Sequence, residues 1–196
     1  TIAAQEALAK DEGLFKKRHS LAHVMAEAVR QIFPDAQIAI GPPIDNGFYY
    51  DFELPRSLNE ADFPLIEEKM RAILATKARF EKRVVSRAEA LSVFAGQKYK
   101  IDLIEKLPEG EEISIYRSHE FEDFCRGPHV ESMAEIDPKC FKISRVAGAY
   151  WRGDEKNAML QRVYAYAFNS EKELADYLAF LEEAEKRDHR KIGREM

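Results

Sequence analysis

His19 and His23 stand four residues apart, and so do Cys125 and His129, so that the two pairs together offer three imidazoles and one thiol. On a helix that spacing leaves two side chains about 40° apart around the axis, so His19 and His23 project from one face. The small residues Ala22 and Ala26 leave room beside them for something else to approach. Taken alone, such a pair is also what an ordinary helix boundary carries. The second pair lies in Cys125-Arg126-Gly127-Pro128-His129, where Gly and Pro point to a fixed loop, against the plain alternative of a buried cysteine near a surface histidine. As one set the four residues suit either a tetrahedral zinc or a cluster of polar groups around a water, and spacing does not choose between them.

These residues need elements to bring them together. Leu21, Val24, Met25, Ala28, Val29 and Ile32 recur at helical spacing and predict an amphipathic helix over about 14–33, stopped by Pro34. Residues 1–13 read as a lead-in segment. Strand-like runs at 37–40 and 48–54 flank Gly41-Pro42-Pro43-Ile44-Asp45-Asn46-Gly47, a stretch dense in turn residues, and predict a hairpin with a shaped loop. Asn59 can cap a helix reaching about residue 77, and Ser86 with Glu89 forms a capping box for a second. A strand over 79–85 lies between them.

A short helix at 100–107 ends at Pro108, followed by a strand at 112–116, a loop through 125–129, and strands at 140–146 and 159–168. Ser170 with Glu173 opens a closing helix, along which Leu174, Tyr177, Leu178 and Leu181 keep helical spacing. Its basic end, Lys186-Arg187-Asp188-His189-Arg190-Lys191, falls where the helix dipole favours cations. The expected class is α+β, with antiparallel sheets and helices around a central cleft. Residues 14–168 form the main unit, with 14–135 and 136–168 as candidate subdomains, and 169–196 form the long C-terminal helix.

A chain of 196 residues, 45% hydrophobic, is long enough for one substantial core. No apolar run approaches the roughly 20 residues that span a bilayer, and the first residues lack a secretory layout, so a cytoplasmic protein is expected. Two cysteines are too few for a disulfide framework. The net charge of −5 argues against coating nucleic acid by bulk attraction. Between Lys139 and Arg162, however, six Lys or Arg face two acidic residues, which makes that stretch the place to seek phosphate contacts. Within it Arg145, Tyr150, Trp151 and Arg152 mix cations with aromatics, as gripping phosphates and stacking unpaired bases require. The alternative there is a Trp in a core with arginines at its rim.

Four segments carry a resemblance: His19-Ser20-Leu21-Ala22-His23, the run from Ile40-Gly41-Pro42-Pro43 to Tyr49-Tyr50-Asp51, Asp123-Phe124-Cys125-Arg126-Gly127-Pro128-His129, and Ala147-Gly148-Ala149-Tyr150-Trp151-Arg152-Gly153-Asp154. Together they resemble the editing domain of bacterial threonyl-tRNA synthetases, within the superfamily of the threonyl and alanyl tRNA synthetase second additional domain. The terminal 184–193 stretch looks like the linker helix that leads into the aminoacylating core. That core, its ATP-binding motifs and the family's small N-terminal domain are not among these residues, so the chain is expected to be a piece of a longer protein.

The resemblance implies hydrolysis of seryl-tRNA(Thr), because a synthetic site built for threonine rejects serine by only about 1–3 kcal/mol and needs a second sieve. It implies that His19 positions or deprotonates the water, while His23, Cys125 and His129 shape the pocket and grip the substrate's amino or hydroxyl group. Asp123 would hold the α-ammonium. Lys100 matches a functional lysine that stabilises the oxyanion or delivers a proton, although without the resemblance it reads as a solvated helix residue. Gly41, Pro42, Asp45 and Tyr50, with Tyr49, would form the wall of the serine pocket.

Editing in this family implies no cofactor and no metal, with His19, His23, Cys125 and His129 as the ligands should zinc be present, and ATP used only in the aminoacylating core. The implied partners are the acceptor end of tRNA(Thr) and the rest of the synthetase, a homodimer, with no membrane. Two other readings stand beside this one. They are a zinc-dependent alanyl-type or freestanding hydrolase, and a tRNA-binding module without catalysis.

Overall fold

The computed structural model describes the backbone of residues 2–195 and the side chains of residues 12–191. Helix α1 (Ile2–Ile32) is longer than its apolar stripe foretells. The lead-in expected over 1–13 is helical from Ile2, while Thr1 lies outside the described residues. The reason is composition. Ala, Leu, Gln, Glu and Lys dominate there with no breaker before Gly13, so propensity extends a helix that no burial pattern announces. The helix stops where Phe33 N–H bonds back to the Val29 carbonyl and Pro34 follows.

Two antiparallel sheets flank α1. The first joins β1 (Gln37–Ile38), β2 (Pro43–Ile44) and β3 (Gly47–Glu53) to the late strands β7 (Phe141–Tyr150) and β8 (Met159–Ala167). In it β3 pairs on one edge with β1 and β2 and on the other with β8, which pairs with β7. The second sheet has the order β4 (Glu81–Val85), β5 (Ile113–Ser118), β6 (Phe121–Phe124). The division suggested at 135/136 therefore cuts through the first sheet, because the Phe48–Ala165 and Tyr50–Val163 pairings hold β3 against β8 across it.

The main core lies between α1, α2 (Phe63–Ala75) and the inner face of the five-stranded sheet, where Leu21, Val24, Met25, Phe48, Tyr50, Phe52, Ile66 and Val163 are buried. Strand alternation places Phe48, Tyr50 and Phe52 on that inner face. A second cluster, of Ala90, Phe94, Ile104, Ile113 and Ile115, joins α3 (Arg87–Val93) and α4 (Lys98–Glu105) to the three-stranded sheet.

The expected caps are present. Asn59 and Asp62 form a reciprocal capping box on the 3-10 turn preceding α2, and the Ser86 side chain accepts the Glu89 N–H. At α5 (Glu171–Glu195) Ser170 Oγ accepts the Glu173 N–H, while the Glu173 carboxylate reaches Asn169 N–H. Several boundaries differ from the sequence reading. Strand β1 stops at Ile38, β2 forms within the stretch that reads as a turn, β6 occupies part of what reads as loop, β7 runs on to Tyr150, and α4 starts at Lys98. None of the described helices is long and apolar enough to cross a membrane.

Candidate active site

The sequence of α1 explains how two histidines come to face a cavity. Leu21, Val24, Met25, Ala28 and Val29 are fully buried and fix the helix's rotation against the first sheet and α2. Arg18 Nε donates to the Ala167 carbonyl at 2.9 Å and pins the same turn to the end of β8. With that rotation set, His19 and His23 lean toward β6 and the loop that follows it. Their ring centroids lie 5.1 Å apart, and each is close to His129, His19 at 4.1 Å and His23 at 4.2 Å.

The loop after β6 supplies the other half. Gly127 has φ 72°, a left-handed conformation that favours glycine, and a Cβ there would lie 2.3 Å from Tyr116 Oη. The turn brings Cys125 Sγ to 3.2 Å from His129 Nε2. His19 Nδ1 lies 3.1 Å from the Pro128 carbonyl, which only accepts, so Nδ1 carries the proton and Nε2 keeps its lone pair.

Beneath the imidazoles lies a buried charged pair. Lys100, on α4, places Nζ 2.5 Å from Asp123 Oδ1. Tyr50 Oη donates to Asp123 Oδ2 at 2.7 Å, and His23 Nε2 lies 3.3 Å from the same oxygen. Asp123 thus ties together α1, β3, α4 and β6. Lys100 is 1% exposed, contrary to the solvated position that a helix lysine suggests, because its ammonium finds a carboxylate inside the protein.

Above this floor opens a cleft of about 440 Å³, lined by His19, His23, Lys100, Asp123 and Cys125 and walled by Phe15, Ile40, Gly41, Pro42, Pro43, Leu103, Leu107 and Phe124. The cleft's apolar wall and convergent polar floor are the usual composition of a small-molecule site. Burial sets the protonation states. It lowers the pKa of His19, chiefly by desolvation, against the raising effect of the Pro128 bond. It lowers His23 well below the ordinary range, helped by the nearby His19 and Lys100 charges, and lowers His129 too, again chiefly by desolvation. The Cys125 thiol is pushed up to about 12 by burial and by the Asp123 charge. At neutral pH the site therefore holds neutral imidazoles and a neutral thiol.

Most of the residues singled out in the sequence meet here, and some do not. Gly41 and Pro42 line the cleft, and a Cβ on Gly41 would lie 2.0 Å from Tyr50 Cδ2, so only glycine allows that loop its close approach. Tyr50 is fully buried behind the wall and holds Asp123, while Tyr49 points to the opposite face, where it stacks under Arg162. Asp45 is exposed at the hairpin turn, away from the cleft lining.

Arg145, Tyr150, Trp151 and Arg152 also lie outside the lining. Trp151 packs against Tyr99 and donates Nε1–H to Asp102, while Arg152 donates to the same carboxylate. Trp151 is buried among these partners, and of the two aromatic residues Tyr150 is the exposed one. Sequence reasoning passed over Phe15, Leu103, Leu107 and Phe124, which helical spacing and strand alternation could have assigned to the cleft, and Ser20, whose side chain touches His129.

The donors of His19, His23, Cys125 and His129 all lie within 4.8 Å of one another. Three neutral imidazoles and a thiol match zinc's ligand chemistry, and the buried His23 Nδ1 has no hydrogen-bond partner, so the residues fit such an ion.

The fold is thus an α+β domain that gathers neutral imidazoles, a thiol and a buried Lys–Asp pair at one cleft. Residues 113–164 match the family model described as the threonyl and alanyl tRNA synthetase second additional domain. Over 191 residues, 97% of its length, the chain is 56% identical to the threonine–tRNA ligase of Borrelia turicatae, covering 33% of that protein. It is 57% identical to the threonine–tRNA ligase of Borreliella afzelii over 189 residues, 96% of the chain and 32% of the relative. The chain thus spans about a third of the length of the relatives it matches.

Proposed function

We propose that this cleft hydrolyses the ester of seryl-tRNA(Thr), as the editing part of a longer threonyl-tRNA synthetase. The observation that carries the reading is the convergence of His19, His23, Lys100, Asp123 and Cys125 on one cleft, in a chain similar to threonine–tRNA ligases along almost its whole length. His19 has the tautomer a general base needs. Its Nδ1–H is held by the Pro128 carbonyl, and Nε2 is left to take a proton from water as the water attacks the ester carbonyl. The carbonyl oxygen gains charge as the new C–O bond forms, and Lys100, held by Asp123, stabilises it through its remaining N–H donors. Collapse breaks the bond to the ribose oxygen, which leaves with the proton received by His19. The products are free serine and an uncharged tRNA end.

Gly41 and Pro42 close on the buried Tyr50, and a loop with so little slack supports a wall that admits serine and excludes the extra methyl of threonine. The deciding experiment compares deacylation of seryl-tRNA(Thr) and threonyl-tRNA(Thr) by the wild type and by His19→Ala. Fast loss of serine alone, abolished in the variant, supports the reading. Mischarged tRNA that binds but stays intact, with His19→Ala indistinguishable, would make this a binding module instead.

The reading requires no resident metal, since His19 supplies the base and Lys100 the donor to the developing oxyanion. A second reading rests on the close approach of the four donors. In it, His19, His23, Cys125 and His129 would hold zinc, whose chemistry is to lower the pKa of a bound water. Stoichiometric zinc in protein purified without chelator would favour it. The partners in the proposed function are the acceptor end of tRNA(Thr) and the remainder of a homodimeric cytoplasmic synthetase, where ATP is used.

A further inference from the structure

Ser20 follows His19 on α1, and its side chain reaches the loop after β6. It is fully buried. Its Oγ accepts the Val130 N–H at 3.1 Å and lies 3.0 Å from His129 Nδ1, and among the described residues it makes no other hydrogen bond. The backbone N–H of Val130 can only donate, which leaves the hydroxyl proton of Ser20 with one acceptor, His129 Nδ1. Were Nδ1 protonated instead, the buried hydroxyl would accept twice and its own proton would go unpaired, an arrangement that buried polar groups avoid.

We infer that Ser20 is a positioning residue that fixes the tautomer of His129, and that the fixed tautomer makes the Cys125 thiol a hydrogen-bond donor into the cleft. With Nδ1 accepting, the imidazole proton sits on Nε2, which faces Cys125 Sγ at 3.2 Å. The sulfur is then the acceptor of that bond. Its own S–H cannot point back at His129 and is left to turn toward the cleft that Cys125 lines. The ligand such a donor recognises is a small oxygen acceptor, a hydroxyl or an ester carbonyl. One buried hydroxyl thereby orients a chain of donors running from α1 to the substrate.

The tautomer assignment stands independently of the proposed activity, whereas the recognition half rests on the ester-hydrolysis reading, and the test separates them. In protein labelled with 15N-histidine, the His129 resonance, assigned by its loss in His129→Gln, is expected to show a pyridine-type Nδ1 and a pyrrole-type Nε2. Ser20→Thr, which keeps the hydroxyl, is expected to preserve that pattern, and Ser20→Ala to lose it. A protonated Nδ1 in the wild type would overturn the inference.

In deacylation of seryl-tRNA(Thr), Ser20→Ala is expected to lower kcat by up to roughly tenfold, the scale of one neutral hydrogen bond, with Ser20→Thr restoring it. An altered tautomer with unchanged kcat would overturn the recognition half. Wild type with the expected tautomer but no deacylation would instead overturn the proposed function and leave the tautomer lock standing. Thermal melting of Ser20→Ala and Ser20→Thr beside the wild type ensures that a folding defect in either variant is not mistaken for either result.

Discussion

Lys100 Nζ and Asp123 Oδ1 lie 2.5 Å apart, with both side chains 2% exposed, directly under the imidazoles of α1. The pair joins α4 to β6, and Tyr50 and His23 complete the shell around its carboxylate. Removing one member strands the other's charge, which in a buried pair costs about 3–5 kcal/mol. Lys100→Met should therefore lose both stability and deacylation. Lys100→Met combined with Asp123→Asn should recover most of the stability, because no charge is left unpaired, and none of the activity. Thermal melting alongside single-turnover hydrolysis checks this. A double variant as unstable as the single would show that the pair is not a coupled unit.

His19 should be separable from folding. It lies at the edge of the cleft, and its polar contact is the single bond to the Pro128 carbonyl. His19→Ala is expected to cut the deacylation rate by about 10²–10⁴-fold, the usual contribution of a general base, while affinity for the tRNA stays within about twofold. A variant with wild-type kcat would move the base elsewhere in the site.

The direction of the histidine pKa shifts fixes two pH dependences. As a base, His19 works when neutral, and its lowered pKa places the acid limb of the rate profile below the ordinary 6.5, with a plateau above. For stability, the unfolded chain takes up protons at His19, His23 and His129 as pH falls through 6.5, while the folded chain, with all three lowered, does not. The unfolded state then binds more protons. Stability is full above 6.5 and falls below it, by up to about 1.4 kcal/mol per pH unit for each histidine until its folded pKa is reached. Denaturant titrations across that range, with His23→Asn as a control, should show the acid slope reduced in the variant. An unchanged slope would mean that His23 is not buried neutral.

How far the sequence foretold this depends on whether the cause was local. The apolar spacing of α1 placed His19 and His23 on one face, and Asn59, Ser86 and Ser170 announced their helices, because caps and stripes act within a few residues. Strand β6 was hidden because Phe121-Glu122-Asp123-Phe124 is short and half charged, and it becomes a strand only by pairing with β5 through a turn in which His119 has φ 50°. The burial of Lys100 was likewise invisible, since its partner Asp123 comes from another element. Seen in the chain, a lysine on a short helix reads as solvated.

Gly41 tests the wall. A Cβ there would meet the Tyr50 ring, and that ring cannot swing away while its hydroxyl holds Asp123. Gly41→Ala should push the loop outward, at a cost of about 1–3 kcal/mol for overpacking. If the loop is the sieve, a wider pocket should admit threonine, and hydrolysis of threonyl-tRNA(Thr) should rise relative to seryl-tRNA(Thr). The ratio of the two kcat/KM values is the readout, and an unchanged ratio would place the discrimination elsewhere.

Trp151 separates a structural role from a binding one. Its indole N–H donates to Asp102 at 3.1 Å, its ring packs on Tyr99 at 5.0 Å, and Arg152 closes over the same carboxylate. Trp151→Phe removes a hydrogen bond to a charged group and part of a small core, so it should destabilise by roughly 1–3 kcal/mol. It should leave tRNA affinity unchanged, because the indole is buried in that small core. Tyr150 precedes it with its ring exposed. If this edge of β7 meets the tRNA, Tyr150→Ala should weaken binding by about 1–3 kcal/mol, the range for one lost stacking contact, with the melting temperature unmoved. Filter binding of both variants beside thermal melts decides it. Weakened binding in Trp151→Phe at full stability would put the indole, and not the neighbouring tyrosine, on the RNA.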